Sequence, residues 1–180
     1  SDREYDKIAN YIHQTVSQLH GNYMVFFPSH VFLQQVYERY LRCYAVKDSA
    51  ECLVQTEHMD EAEREAFLQR FEGNPGMNLS DRIHMEIEVE EESSLVGFCV
   101  LGGIFSEGID LKEDSLIGAL IVGTGLPQVC TEREIIRGYF EENGENGFDY
   151  AYRYPGMNKV LQAAGRVIRT ADDVGIVALL

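Results

Sequence analysis

Tyr23-Met-Val-Phe-Phe27 decides the fold. In a strand, successive side chains point to opposite faces, so an apolar run without alternation is apolar on both faces. Such a strand must be covered on both sides. Four further runs read the same way or nearly so: Cys52 to Gln55, Leu95 to Leu101, Leu116 to Val122 and Val174 to Leu180. Helical spacing fills the intervals. Asp6 to Leu19 carries Ile8, Ile12, Val16 and Leu19 on one face, with Gly21 as a plausible C-terminal cap. Val31 to Leu41 has the same period, with Ser29 placed to cap it. Asp60 to Phe71 opens on Asp60 and Glu63 in capping-box positions, and Thr131 to about Glu141 repeats the pattern with Thr131 and Glu134. A last helix surrounds Val160 to Arg169. Apolar strands alternating with helices predict an α/β domain, a parallel sheet with helices on both faces.

The 180 residues suffice for one sizeable core, and residues 1–180 read as one domain. A polar, acidic connection over about 72–94 interrupts it, either a loop or an insertion. Asp81, Glu86, Glu88, Glu90, Glu91 and Glu92 lie there and supply much of the net charge of −15. That charge argues against tight, autonomous, salt-sensitive binding of nucleic acid. It is compatible with a domain that makes a few contacts while a partner domain makes the rest. Cys43, Cys52, Cys99 and Cys130 show no C-x-x-C and no ligand-like spacing with the histidines, so no metal site is expected. Cys52 and Cys99 fall in strands and are expected as buried thiols. No apolar run reaches the roughly 18 residues of a membrane span, and no signal peptide is evident. The expectation is a cytoplasmic, monomeric domain without membrane contact. The chain stops in or at the end of an apolar strand, which suggests an excised domain.

Val160-Leu-Gln-Ala-Ala-Gly-Arg-Val-Ile-Arg169 holds the most informative chemistry. Gln162, Arg166 and Arg169 share one helical face, with Lys159 beside them. Leu161, Ala164 and Ile168 share another and are expected to be buried. Two guanidinium forks at fixed spacing suit phosphate oxygens, although a solvated polar face has the same pattern. A second segment, Leu101-Gly-Gly-Ile-Phe-Ser-Glu-Gly-Ile-Asp-Leu111, passes from a strand into a loop. Ligands collect at the carboxyl ends of parallel strands. There Ser106 and the backbone N–H of Gly108 suit a phosphate, while Glu107 and Asp110 suit ribose hydroxyls, an arginine or a base. An ordinary glycine-rich turn would look similar. Pro28-Ser29-His30 ends one strand and opens a helix, where an N-terminus can hold a phosphate.

Together these stretches resemble motifs V and VI of superfamily two helicases. G-x-F-S-E-G-I-D followed by Q-A-A-G-R-x-I-R is similar to the DinG/XPD family of iron–sulfur-type DNA helicases. Asn22 to His30 is similar to its motif IV, and Gly125 to Glu134 to a later loop and helix. The resemblance implies a RecA-like (P-loop NTPase-type) second, C-terminal motor domain. It implies an ATP site, with Mg²⁺, held mainly by a first motor domain of the same polypeptide. Arg166 and Arg169 would then reach the nucleotide phosphates, and Gln162 would hold the nucleotide or the attacking water. Gly108, Asp110 and Glu107 would lie on the nucleotide side, and Ser29, His30 and Ser106 on a single-stranded DNA track. Any iron–sulfur cluster would belong to the parent protein, not to this chain, and DNA repair is the implied setting.

Two false leads are set aside. Asp60-Glu-Ala-Glu63 looks like a helicase acid box but opens an exposed helix rather than following a buried strand. Gly123-Thr-Gly125 fails as a dinucleotide fingerprint because Gln128 stands where the third glycine belongs. No G-x-x-x-x-G-K-[ST] is present, so the isolated chain is expected to be catalytically silent. The rival readings are a stand-alone α/β phosphate- or nucleotide-binding domain, or an acidic protein-interaction module. The motif reading also expects Gln162, Arg166, Arg169 and Asp110 near the carboxyl ends of the strands.

Overall fold

In the computed structural model, the described residues are 1–72, 93–102, 111, 116–123, 127, 129–165, 167 and 175–180. Five strands, β1 (Asn22–Phe27), β2 (Ala50–Val54), β3 (Ser94–Val100), β4 (Gly118–Ile121) and β5 (Ile176–Leu179), form one sheet in the order β2-β3-β1-β4-β5. All its pairings are parallel. The helices are α1 (Asp2–Gln18), α2 (His30–Cys43), α3 (Glu61–Glu72), α4 (Thr131–Glu142) and α5 (Tyr154–Ala164). The α/β reading therefore holds, except that the last helix, expected to surround Val160 to Arg169, ends at Ala164 with Gly165 as its C-cap.

The double-sided burial of the strands has the expected cause. Tyr23, Val25 and Phe27 pack with Val96, Phe98 and Leu120 under α1 and α2. Met24 and Phe26 point the other way and pack with Phe67 and Phe71 of α3, Ala119 and Ile121 of β4, and Ala163 of α5. At the centre of β3, Gly97 has no side chain because a Cβ there would stand 2.7 Å from Phe71 Cζ and 3.2 Å from Phe67 Cζ. The aromatic pair of α3 therefore lies directly on the strand backbone.

A buried polar anchor ties α2 to the turn before β2. The Asp48 carboxylate, 1% exposed, accepts a hydrogen bond from Tyr40 Oη at 2.7 Å and lies 2.7 Å from His13 Nδ1 of α1. The His13 ring stacks on Tyr44. Ser49, at φ 48°, makes the tight turn that lets the chain enter β2.

Three local expectations need correction. α1 begins at Asp2, not Asp6, because Ser1 and Glu4 form a capping box. It ends in the extended residue Leu19 rather than at Gly21, whose N–H is held by Ser94 Oγ. Thr131 is not a cap either. Cys130 occupies the N-cap of α4, and Glu134 is drawn away to accept Tyr152 Oη at 2.6 Å. The Asp60–Glu63 capping box does form, with reciprocal bonds of 2.8 and 2.9 Å.

An element absent from the sequence reading is a π-helical segment, Asp149–Arg153, that runs straight into α5. It holds α4 in place, since α4 buries no residue of its own. Arg133 of α4 donates to the Ala151 carbonyl at 2.8 Å, and Phe140 stacks on Tyr150 at 3.9 Å between centroids.

Candidate functional site

In a parallel sheet every strand ends at the same edge. Pro28-Ser29-His30 follows β1, Gln55-Thr56 follows β2, Leu101-Gly102 follows β3 and Val122-Gly123 follows β4, so these segments share one rim. The chain leaves β1 toward β2 and leaves β4 toward β5, on opposite sides. The crevice at such a reversal is where ligands of open α/β sheets bind.

Ser29 takes its expected place. It is extended, at φ −159° and ψ 160°, and its Oγ accepts the Phe32 N–H at 3.2 Å. Its carbonyl accepts the Leu33 N–H at 3.0 Å. The amides of His30 and Val31 find no acceptor among the described residues and point out of the helix start. His30 is half-buried beside them. Two free N–H groups on the positive end of a 14-residue helix favour an anion.

A cleft of about 450 Å³ opens beside this helix start, between the first turns of α2 and the end of β2. Gln55 lies in its wall and is 5% exposed. Its Oε1 accepts the Val100 N–H at 2.8 Å, joining the ends of β2 and β3. Nothing in the sequence reading singled out Gln55. It closes the strand expected over Cys52 to Gln55, and its partner lies 45 positions away.

α5 descends the other face of the sheet. Midway along it Lys159 reaches Gly102, where a Cβ would come 2.6 Å from Lys159 Nζ. An ammonium therefore stands at the carboxyl end of β3, where Gly102 turns with φ +75°. Beyond the end of α5, Val167 occupies the space a Gly175 Cβ would need, beside the Ile117 carbonyl at the amino ends of β4 and β5. Gln162 lies one turn beyond Lys159, exposed, with no side-chain hydrogen bond among the described residues. The buried face of α5 differs from the expected one. Leu161 is 61% exposed and Ala164 half-buried, whereas Gly156 and Ala163 are buried. Small residues lie against the sheet because they let the helix approach it. The readings on Arg166, Arg169, Ile168, Ser106, Glu107, Gly108 and Asp110, and the acidic run before β3, lie outside the described residues.

The cysteines do not form a reactive centre. Burial pushes the Cys99 thiol well up, and burial with the Asp48 and Glu51 charges pushes Cys52 up to about 12. Cys99 is buried and Cys52 half-buried, while Cys43 and Cys130 are exposed. Among the described residues no group of three His, Cys, Asp or Glu side chains is placed to hold a metal ion. Among them, too, no helix is long and apolar enough to cross a membrane.

The sequence matches the family described as helicase C-terminal domain over residues 12–180. The chain belongs to that family. It is similar to the ATP-dependent DNA helicase DinG of Photobacterium profundum, 39% identical over 80 residues, which are 43% of this chain and 11% of the relative. Its fold matches that of a solved XPD helicase with a TM-score of 0.70 at 21% identity, covering 100% of this chain and 28% of that one. An apo XPD structure matches with a TM-score of 0.66 at 20% identity, covering 99% and 32%. The chain thus spans about a third or less of the length of these relatives. It is a C-terminal helicase domain of the DinG/XPD type with a RecA-like fold.

Proposed function

We propose that this chain is the second motor domain of an ATP-dependent DNA helicase, working with a first motor domain of the same polypeptide. The observation that carries the reading is the placement of two motif elements on one sheet. The helix start at Ser29 stands at the carboxyl rim, and α5 turns Gln162 and Leu161 outward while burying Ala163. An apolar side chain exposed beside an unpartnered carboxamide suits a surface that another domain closes upon. Nucleotide would lie in that cleft, with Mg²⁺ and most phosphate contacts supplied from the other side. Arg166 and Arg169 would supply positive charge to the β- and γ-phosphates as water displaces the γ-phosphoryl group. Gln162 would orient the nucleotide or the attacking water. Gly108, Asp110 and Glu107 would line the nucleotide side of the following loop, and Ser106 would face the strand.

Single-stranded DNA would cross the carboxyl rim. There the free amides of His30 and Val31, with Ser29, would hold a backbone phosphate. Opening and closing of the cleft during turnover would shift the strand along this track. The charge of −15 accords with a division of labour in which this domain contributes a few contacts.

Ser29→Asp in the full-length protein tests the track. Aspartate caps a helix as well as serine, so α2 stays intact. Its carboxylate would stand against the phosphate. Strand affinity should fall by at least ~10-fold, the scale of one charge-assisted hydrogen bond. Unchanged affinity in a fluorescence-anisotropy titration would remove Ser29 from the track.

A further inference from the structure

The cleft beside α2 carries an unspent donor. Gln55 is 5% exposed, and its carboxamide orientation is fixed because the Val100 N–H requires an oxygen. Flipping the group would set N–H against N–H. The two Nε2 hydrogens therefore point away from Val100, and no acceptor meets them among the described residues. Nε2 is not sealed from water but opens onto the cleft that Gln55 lines, so a ligand acceptor that meets it takes the place of water. Of the neighbouring carboxamides, Gln34 Nε2 donates to Glu38 at 2.8 Å, and Gln35, only half-buried, is held through its Oε1 by Arg39 at 3.0 Å.

The walls define what could enter. Val31, Leu33 and Val54 make them largely apolar, and Thr56 adds a hydroxyl near Gln55. The Glu57 carboxylate also lines the cleft and disfavours an anion inside. The guest is therefore neutral, with apolar surface and an acceptor at its edge. Its volume of about 450 Å³ admits a group of nucleotide size. His30 and Val31, whose amides are free, lie on the first turn of α2 and also line the cleft.

We propose that this cleft seats one nucleobase of the bound strand. Gln55 Nε2 donates to an acceptor on the base edge, while Ser29 and the α2 amides hold the adjoining phosphate. The inference rests on the strand-track reading above and gives it a register: one base is turned into the protein at the point where the backbone passes α2.

The test is an abasic walk. The full-length protein is titrated with a fluorescent oligothymidylate, and with versions carrying one abasic site at each position in turn. One position should lower affinity by ~10-fold, as loss of a buried hydrogen bond predicts. Gln55→Glu keeps an oxygen for the Val100 N–H and removes the donors. It should lower affinity for the intact strand to the abasic level and erase the penalty at that position. Val31→Trp, at a site 71% exposed and so tolerant of change, should fill the cleft and do the same. If no abasic position matters, or if the penalty survives in both variants, the base seat is refuted. Ser29→Asp separates this from failure of the track, because it should weaken intact and abasic strands by the same factor. If Ser29→Asp changes neither while the penalty is also missing, the track reading itself fails. Thymidine monophosphate alone should not displace the strand; displacement lost in Gln55→Glu would assign the cleft to free nucleotide and overturn the proposal.

Discussion

Removing the Asp48 carboxylate should loosen the anchor that fixes α2 against β2, the two walls of the cleft. Asp48→Ala deletes two contacts of 2.7 Å, one from Tyr40 Oη and one with His13 Nδ1. Tyr40 is fully buried, so its hydroxyl is left without a partner, at about 1–3 kcal/mol. His13 is part-exposed and recovers its loss from water. The expected cost is about 3 kcal/mol. Tyr40→Phe removes one hydrogen bond to a carboxylate that His13 still holds, at about 1.5–3 kcal/mol. The double variant should cost less than the sum by about 1 kcal/mol or more, because the stranded hydroxyl is gone. The assay is urea unfolding followed by far-UV circular dichroism, since the chain has no tryptophan. Costs that add within about 0.5 kcal/mol would show that the three residues do not act as one network.

Gly97→Ala should destabilise by about 1–3 kcal/mol, because its Cβ would press on rings that pack against each other; a neutral or stabilising result in the same assay would contradict the close seating of α3. A thiol reagent at about pH 8 should label Cys43 and Cys130 rapidly and Cys99 only on unfolding. Stability should fall as pH rises above the ordinary thiol value of 9.0. From there the unfolded chain ionises Cys52 and Cys99 while the folded chain keeps their protons up to about 12 for Cys52, so the unfolded state binds fewer protons. A urea midpoint that is flat or rising between about pH 9 and 11 would oppose this. The 180-residue chain alone should show no metal-dependent ATP turnover, since it carries no phosphate loop; robust turnover would refute a site shared between two domains.

Much of the fold was legible because burial on both faces leaves a direct trace. Tyr23 to Phe27 could not be a half-exposed strand, and once it was parallel and covered, the rim that carries Ser29 followed. The Ser29 cap and the Asp60–Glu63 box were legible because each depends on residues three apart. The buried face of α5 was not. Leu161, Ala164 and Ile168 have the same spacing as Val160, Ala163 and Val167, so periodicity cannot choose between them. Side-chain size misleads here, because Gly156 and Ala163 permit the closer packing. Gln55 escaped notice because its role depends on Val100, which only the sheet brings near. The π-helical segment depends on its own aromatic packing against α4, Tyr150 on Phe140, which has no short-range pattern.

Nucleic-acid-stimulated ATP turnover by the full-length protein bearing Arg169→Ala tests the central claim most directly. Turnover should drop by roughly 10³-fold, the scale lost with an arginine that stabilises phosphoryl transfer. Single-strand affinity should stay within about twofold, because the strand track is placed at the Ser29 rim. Turnover that survives the substitution, or strand affinity that collapses while turnover per bound strand is kept, would contradict the account.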